Sequence, residues 1–184
     1  MLVCHCILNS NSKVEGLAEY EGALADVVKL LIEEDIGIIQ LPCPELTSCG
    51  MRRWGMVKEQ YDTPFYRDHC RKLFYPYFQQ IEEYVTNSYE VVGIIGMDGS
   101  PSCGVNKTCS ADWKGEISNN PHIQNIIDGL KMVEGSGVFV EEIADMLKNR
   151  GIHVDFSAVD EANPMDSYKK IEKFIRGKKN NENQ

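Results

Sequence analysis

No apolar run in this chain approaches the roughly 20 residues needed to span a bilayer. Its first residues lack the basic start and long apolar stretch of a signal peptide. Basic charge is also short: 19 Lys and Arg against 28 Asp and Glu leave a net charge of -9. That balance argues against the backbone of a nucleic-acid polymer or an anionic membrane as partner, although a local basic pocket remains compatible with it. The closely paired cysteines of a zinc ribbon are missing, since the spacings are Cys4-x-Cys6, Cys43-x5-Cys49 and Cys103-x5-Cys109. A dinucleotide fingerprint is missing too, because residues 9–13, after the first strand-like run, hold no glycine. These absences predict a cytoplasmic protein with neither a membrane nor a nucleic-acid polymer as partner.

What is present is cysteine. Seven in 184 residues is an odd number and cannot be fully paired within the chain. In a reducing compartment such thiols serve metal binding, catalysis or the core. The length suits one α/β domain over residues 1–177, followed by a disordered polar tail over 178–184.

Strand-like apolar runs occupy residues 2–8, 36–41, 89–97 and 152–156. Helical periodicity falls between them, over 17–34, 65–87 and 138–149, with a short helix within 121–132 and a last one over 168–176. Gly37 is expected to end the first helix, and Pro76 to kink or break the second. Residues 45–64 show no clean period and read as a long functional loop with one short helix, and residues 105–120 read as irregular, with Trp113 as an anchor. Strands alternating with helices predict a Rossmann-like three-layer sandwich around a mostly parallel sheet of about four strands.

Such sheets bind ligands outside the carboxyl ends of their strands. Three of the runs deliver a thiol there: Cys6, Cys43 and Cys103. The last closes the stretch Gly96-Met-Asp-Gly-Ser-Pro-Ser-Cys-Gly104, too rich in glycine and proline for an ordinary connection. Cys49 competes with Cys43 for the second place, whereas Cys4, Cys70 and Cys109 read as structural. Three soft thiolates select zinc, copper(I) or an iron–sulfur cluster. A [4Fe–4S] cluster held by three cysteines instead of four keeps one iron open as a Lewis acid. A zinc-binding module, or a nucleotide-binding module with incidental thiols, stays open as an alternative.

The stretch from Cys6-Ile-Leu-Asn9 to Gly16, the run Cys43-Pro-Glu45 followed by Gly50-Met-Arg52, and Ser100-Pro-Ser-Cys-Gly104 resemble the three signature motifs of the thiouracil desulfidase family. Gly135-Ser-Gly-Val-Phe139 is similar to a later element of it. The resemblance covers roughly residues 1 to 155. It implies a [4Fe–4S] cluster on Cys6, Cys43 and Cys103, with the fourth iron taking the sulfur of a small thiolated molecule that is desulfurised without redox change. The chain departs from the family pattern at Asn9, at Lys13-Val-Glu-Gly16, at Arg52-Arg-Trp-Gly55 and at Asp98-Gly99, all in substrate-facing loops, so it reads as a divergent relative.

The chemistry then needs a base for the attacking water. Glu45, two residues beyond Cys43, is the first candidate, and Ser100 is placed to position substrate or relay a proton. Ser102 is expected to wall the substrate site. Gly137, at the start of a helix, offers backbone N–H groups to an anionic substrate group. Asn9 completes the substrate-binding set. Arg52 and Arg53 read as a solvated pair, and Asp98 as a turn residue.

Overall fold

The computed structural model describes residues 1–182, with side chains as far as Lys178. Its main sheet has four strands, all parallel: β1 (Leu2–Val3), β2 (Ile39–Gln40), β3 (Ile94–Met97) and β6 (Phe156–Val159), in the order β2-β1-β3-β6. Leu2 stands level with both Ile39 and Ile94, and β3 runs level with β6 from Ile94 and Phe156 onward. A second sheet pairs β4 (Lys107–Ser110) with β5 (Lys131–Glu134) antiparallel. The expected three-layer α/β architecture is therefore present, with this small sheet as an addition.

The helices are α1 (His5–Leu8), α2 (Ala25–Glu33), α3 (Pro44–Cys49), α4 (Lys58–Tyr61), α5 (Pro64–Thr86), α6 (Ile123–Asp128), α7 (Val138–Asn149) and α8 (Pro164–Glu182). Helix α5 packs on α7, and α8 packs on α2 and β6. Apolar positions at helical spacing meet in the core: Phe74 lies edge-on to Phe139 with ring centres 6.3 Å apart, and Ile143, Ile171 and Ile175 are fully buried. None of the described helices is long and apolar enough to cross a membrane.

Several boundaries differ from expectation, each for a local reason. The first strand stops at Val3, and His5–Leu8 forms a helical turn that carries Cys6. The first long helix starts only at Ala25, because Gly16 and Gly22 adopt φ of +84° and +64° upstream of it. It ends at Glu33, and Asp35, not Gly37, takes the left-handed position at φ +53°. Helix α5 continues through Pro76 as one element. The fourth strand begins at Phe156, four residues later than the apolar run. Residues 45–64 hold α3 and α4, and the stretch read as irregular over 105–120 contains β4, whose residues Lys-Thr-Cys-Ser carry no apolar period. Helix α8 extends to Glu182, into the stretch expected to be tail, while Asn183 and Gln184 lie outside the described residues.

One charge is taken into the helix layer. Glu142 of α7 is buried and accepts hydrogen bonds from Arg67 Nη1 at 2.8 Å and Arg71 Nη1 at 2.6 Å, tying α7 to α5. The arginines remain partly in water, which limits what the network contributes. Glu142→Ala should lower unfolding stability by about 1–2 kcal/mol, because it removes both charge-assisted hydrogen bonds between α7 and α5. Urea denaturation against the parent chain measures this, and a midpoint unchanged within error would refute it.

Candidate functional site

Every strand of the main sheet sends residues from its carboxyl end to one cavity of about 500 Å³. After β1 comes Cys6, after β2 Cys43 and Glu45, after β3 Asp98, Ser100 and Cys103, and after β6 Asp160 and Glu161. Local structure explains how each thiol is held. Cys43 is the N-cap of α3, and its Sγ accepts the Leu46 N–H at 3.4 Å, while Pro44 takes the first helical position. Cys103 is returned over its own strand: Met97 N–H donates to the Cys103 carbonyl at 2.8 Å. That return needs Gly96, where a Cβ would stand 2.5 Å from the Cys103 oxygen.

The three thiols feel one another. Burial, then the charge of Cys103, pushes Cys43 up to about 11. Burial, then the charge of Cys103 and less strongly that of Cys43, pushes Cys6 well above the usual thiol range. Cys103 is raised first by a hydrogen bond shared with the Cys4 thiol and then by burial. Cys4 follows β1 at the level of Gly96 and is fully buried, so it backs Cys103 from inside the protein. Cys49 is exposed and does not line the cavity, so of the two rivals for the second place Cys43 is the one facing Cys6 and Cys103. Cys70 and Cys109 are buried, the latter in a small satellite core with Val57, Ala111 and Trp113.

Glu45 is the polar centre of the cavity. Ser100 Oγ donates to Glu45 Oε1 at 3.4 Å and Tyr61 Oη to Oε2 at 3.5 Å, and Arg53 Nε stands 3.5 Å from Oε2. All three contacts are long, so the carboxylate is held loosely. Ser100 Oγ also accepts the N–H groups of Ser102 at 3.2 Å and Cys103 at 3.0 Å, which shapes the turn. Arg53, expected in solvent, is buried. It donates to the carbonyls of Ser12 and Gly50, and its Nε is without a hydrogen-bond partner among the described residues. Only its position after the Cys-Pro-Glu motif could have marked it in the sequence, because Arg52 beside it is indeed exposed.

Three expected substrate contacts lie elsewhere. Asn9 caps a 3-10 turn, accepting from the Asn11 backbone N–H at 3.1 Å. Ser102 is fully buried with its Oγ 2.8 Å from Tyr66 Oη. Gly137 donates its N–H to the Gly104 carbonyl at 2.9 Å and packs on the Ser102 backbone. None of the three lines the cavity. Asp98 is a turn residue as expected, its Oδ1 accepting from the N–H groups of Val105 and Asn106 at 2.9 Å. Lys13 and Lys107 join the lining from flanking segments.

Among the described residues, no three His, Cys, Asp or Glu side chains are grouped so as to hold a single metal ion. A closed zinc centre, with four ligands around one ion, has no counterpart here. Thiols that each bind a different iron of a cubic cluster stand farther apart than thiols on one ion. The donor set fits such a cluster in its chemistry alone: three soft ligands line one cavity.

No protein-family profile and no solved structure matches the chain. It is 45% identical over 150 residues to Uncharacterized protein MJ0003 of Methanocaldococcus jannaschii, a match covering 80% of this chain and 96% of that protein. The chain belongs to that protein's family. The relative's description names no activity, so this kinship establishes descent and leaves the chemistry to be argued from the cavity.

Gly137 offers a clean separation of packing from binding. A Cβ there would stand 2.6 Å from the Ser102 carbonyl oxygen and 2.8 Å from that of Pro101, both main-chain atoms that cannot turn aside. Gly137→Ala should cost about 1–3 kcal/mol of unfolding stability. A thermal melt equal to the parent's would show that the contact is not as close as described.

Proposed function

We propose that this protein is an iron–sulfur-dependent desulfidase that removes sulfur from a small thiolated molecule by hydrolysis, in a reducing, cytoplasmic setting. The observation that carries the reading is the meeting of Cys6, Cys43 and Cys103 at one cavity with Glu45 and Ser100. The three motifs that resemble the thiouracil desulfidases are the same segments that line it. The net change, thiocarbonyl plus water to carbonyl plus hydrogen sulfide, balances without an electron donor.

Cys6, Cys43 and Cys103 would hold the [4Fe–4S] cluster, which when bound supplies an open iron as Lewis acid for a thiocarbonyl sulfur. The protein's own groups do the rest. Glu45 accepts the proton of the attacking water, and its long contacts leave a place for that water beside Ser100. The buried Arg53 guanidinium, its Nε 3.5 Å from Glu45 Oε2, fixes the side of the carboxylate away from Ser100. Ser100 presents its hydroxyl at the same edge while its other contacts fix the Cys103 turn. The apolar side chains Val14, Leu17, Met97 and Met132 complete a wall suited to a planar organic body.

Protein purified without oxygen should contain about four irons and four acid-labile sulfides per chain. Cys6→Ala, Cys43→Ala and Cys103→Ala should each lower that content, whereas Cys49→Ala should retain it. A chain that takes up no iron even on reconstitution would dispose of the proposal. With the cluster in place, Glu45→Gln should reduce hydrogen sulfide release from a thiolated base about 10²–10⁴-fold at unchanged iron content. A loss below threefold would remove Glu45 as the base.

A further inference from the structure

The cations of the cavity already have partners. Arg53 faces Glu45. Lys13 is ion-paired with Glu161, its side chain is only 10% exposed, and its ammonium also lies 5.1 Å from the centre of the Tyr20 ring. Lys107 Nζ donates to Asp160 Oδ2 at 2.7 Å. Asp160 and Glu161 are consecutive, directly after β6, and their turn is firmly built. Asp160 N–H donates to Ser167 Oγ at 2.8 Å, and its carboxylate also accepts from Ala162 N–H at 3.1 Å and Asn163 Nδ2 at 3.0 Å. The two lysines come from different segments, one after α1 and one on β4, yet both reach this pair of carboxylates across the cavity.

We infer that Asp160 and Glu161 determine specificity: they occupy the lysine positions that would otherwise receive an anionic substituent. The inference rests on the desulfidase reading for the word substrate, and it narrows that substrate to a thiolated compound uncharged on the side facing Lys13 and Lys107. A carboxylate or phosphate on the incoming molecule would have to displace a tethered carboxylate, present at high effective concentration. It would do so in a cavity lined by three cations and five carboxylates, where the field already opposes an anion. An uncharged ring meets neither obstacle and finds the apolar wall.

The test separates recognition from turnover. In cluster-free protein, Asp160→Asn/Glu161→Gln should bind inorganic phosphate about tenfold or more tightly than the parent by titration calorimetry, because each freed lysine regains a charge-assisted donor. Adding Lys13→Ala and Lys107→Ala should abolish that gain. Each single neutralisation, a near-isosteric change, should show a smaller gain of the same sign, which covers the case in which the double variant folds poorly. In cluster-loaded protein, the kcat/KM ratio for a free thiolated base over its nucleoside 5′-monophosphate should fall about tenfold in the double variant. The inference is overturned if the parent binds phosphate as tightly as the variants, or if no variant gains. Phosphate binding needs neither iron nor turnover. A chain that takes up no cluster would therefore defeat the proposed function while the phosphate result still decides this one.

Discussion

The hydrogen bond from Met97 N–H to the Cys103 carbonyl is the constraint on which the site depends. It folds the chain back over its own strand within six residues, and the fold-back is possible only because Gly96 has no side chain under it. Three further contacts lock the returned segment. Ser100 Oγ accepts the Cys103 N–H, Gly104 N–H donates to the Ser100 carbonyl, and Ser102 offers its own carbonyl to the first residues of α7. The thiol is thus set between the sheet edge and a helix start by main-chain bonds and the Ser100 hydroxyl. Glu45 and Cys43 then approach it from the end of β2, on the far side of β1, carried by the first turn of α3.

Asp98 gives that loop its second function. Its carboxylate gathers the N–H groups of Val105 and Asn106, which starts β4 at a defined angle and so brings Lys107 to the cavity. A residue that reads as mere turn chemistry therefore links the thiol loop to the small antiparallel sheet. Lys107, nine positions after Asp98, comes to the cavity with an acidic partner, Asp160.

The architecture was legible from residues alone, and with it the gathering of strand-end thiols at one edge, because alternating apolar runs and helical periods dictate a parallel sheet; the choice between Cys43 and Cys49 was not, since both follow the same strand. Boundaries were less legible. The strands pair over only two to four residues, so the apolar runs overstate them. The β4–β5 sheet was invisible because Lys-Thr-Cys-Ser and Lys-Met-Val-Glu carry no period that burial would impose. Arg53 was misread for a related reason. Sequence shows two adjacent arginines, and only the chain's path decides that one of them turns inward to two carbonyls. Asn9, Ser102 and Gly137 sit in the motifs that suggested a substrate site, but each is engaged in a local contact of the fold: a cap, a buried hydroxyl pair and a close main-chain approach.

The three thiols are brought together by strands whose pairing spans almost a hundred residues of chain, from Leu2 to Ile94. A local cysteine pair can capture metal while the polypeptide is still emerging from the ribosome. This arrangement cannot, because no fragment shorter than the β1–β3 closure contains the site. A metal group bridging all three thiols would therefore need the β1–β3 closure to be in place first. Assembly of the holoprotein would accordingly be timed by long-range sheet formation, the slow step of such topologies, and not by the supply of metal to a nascent chain.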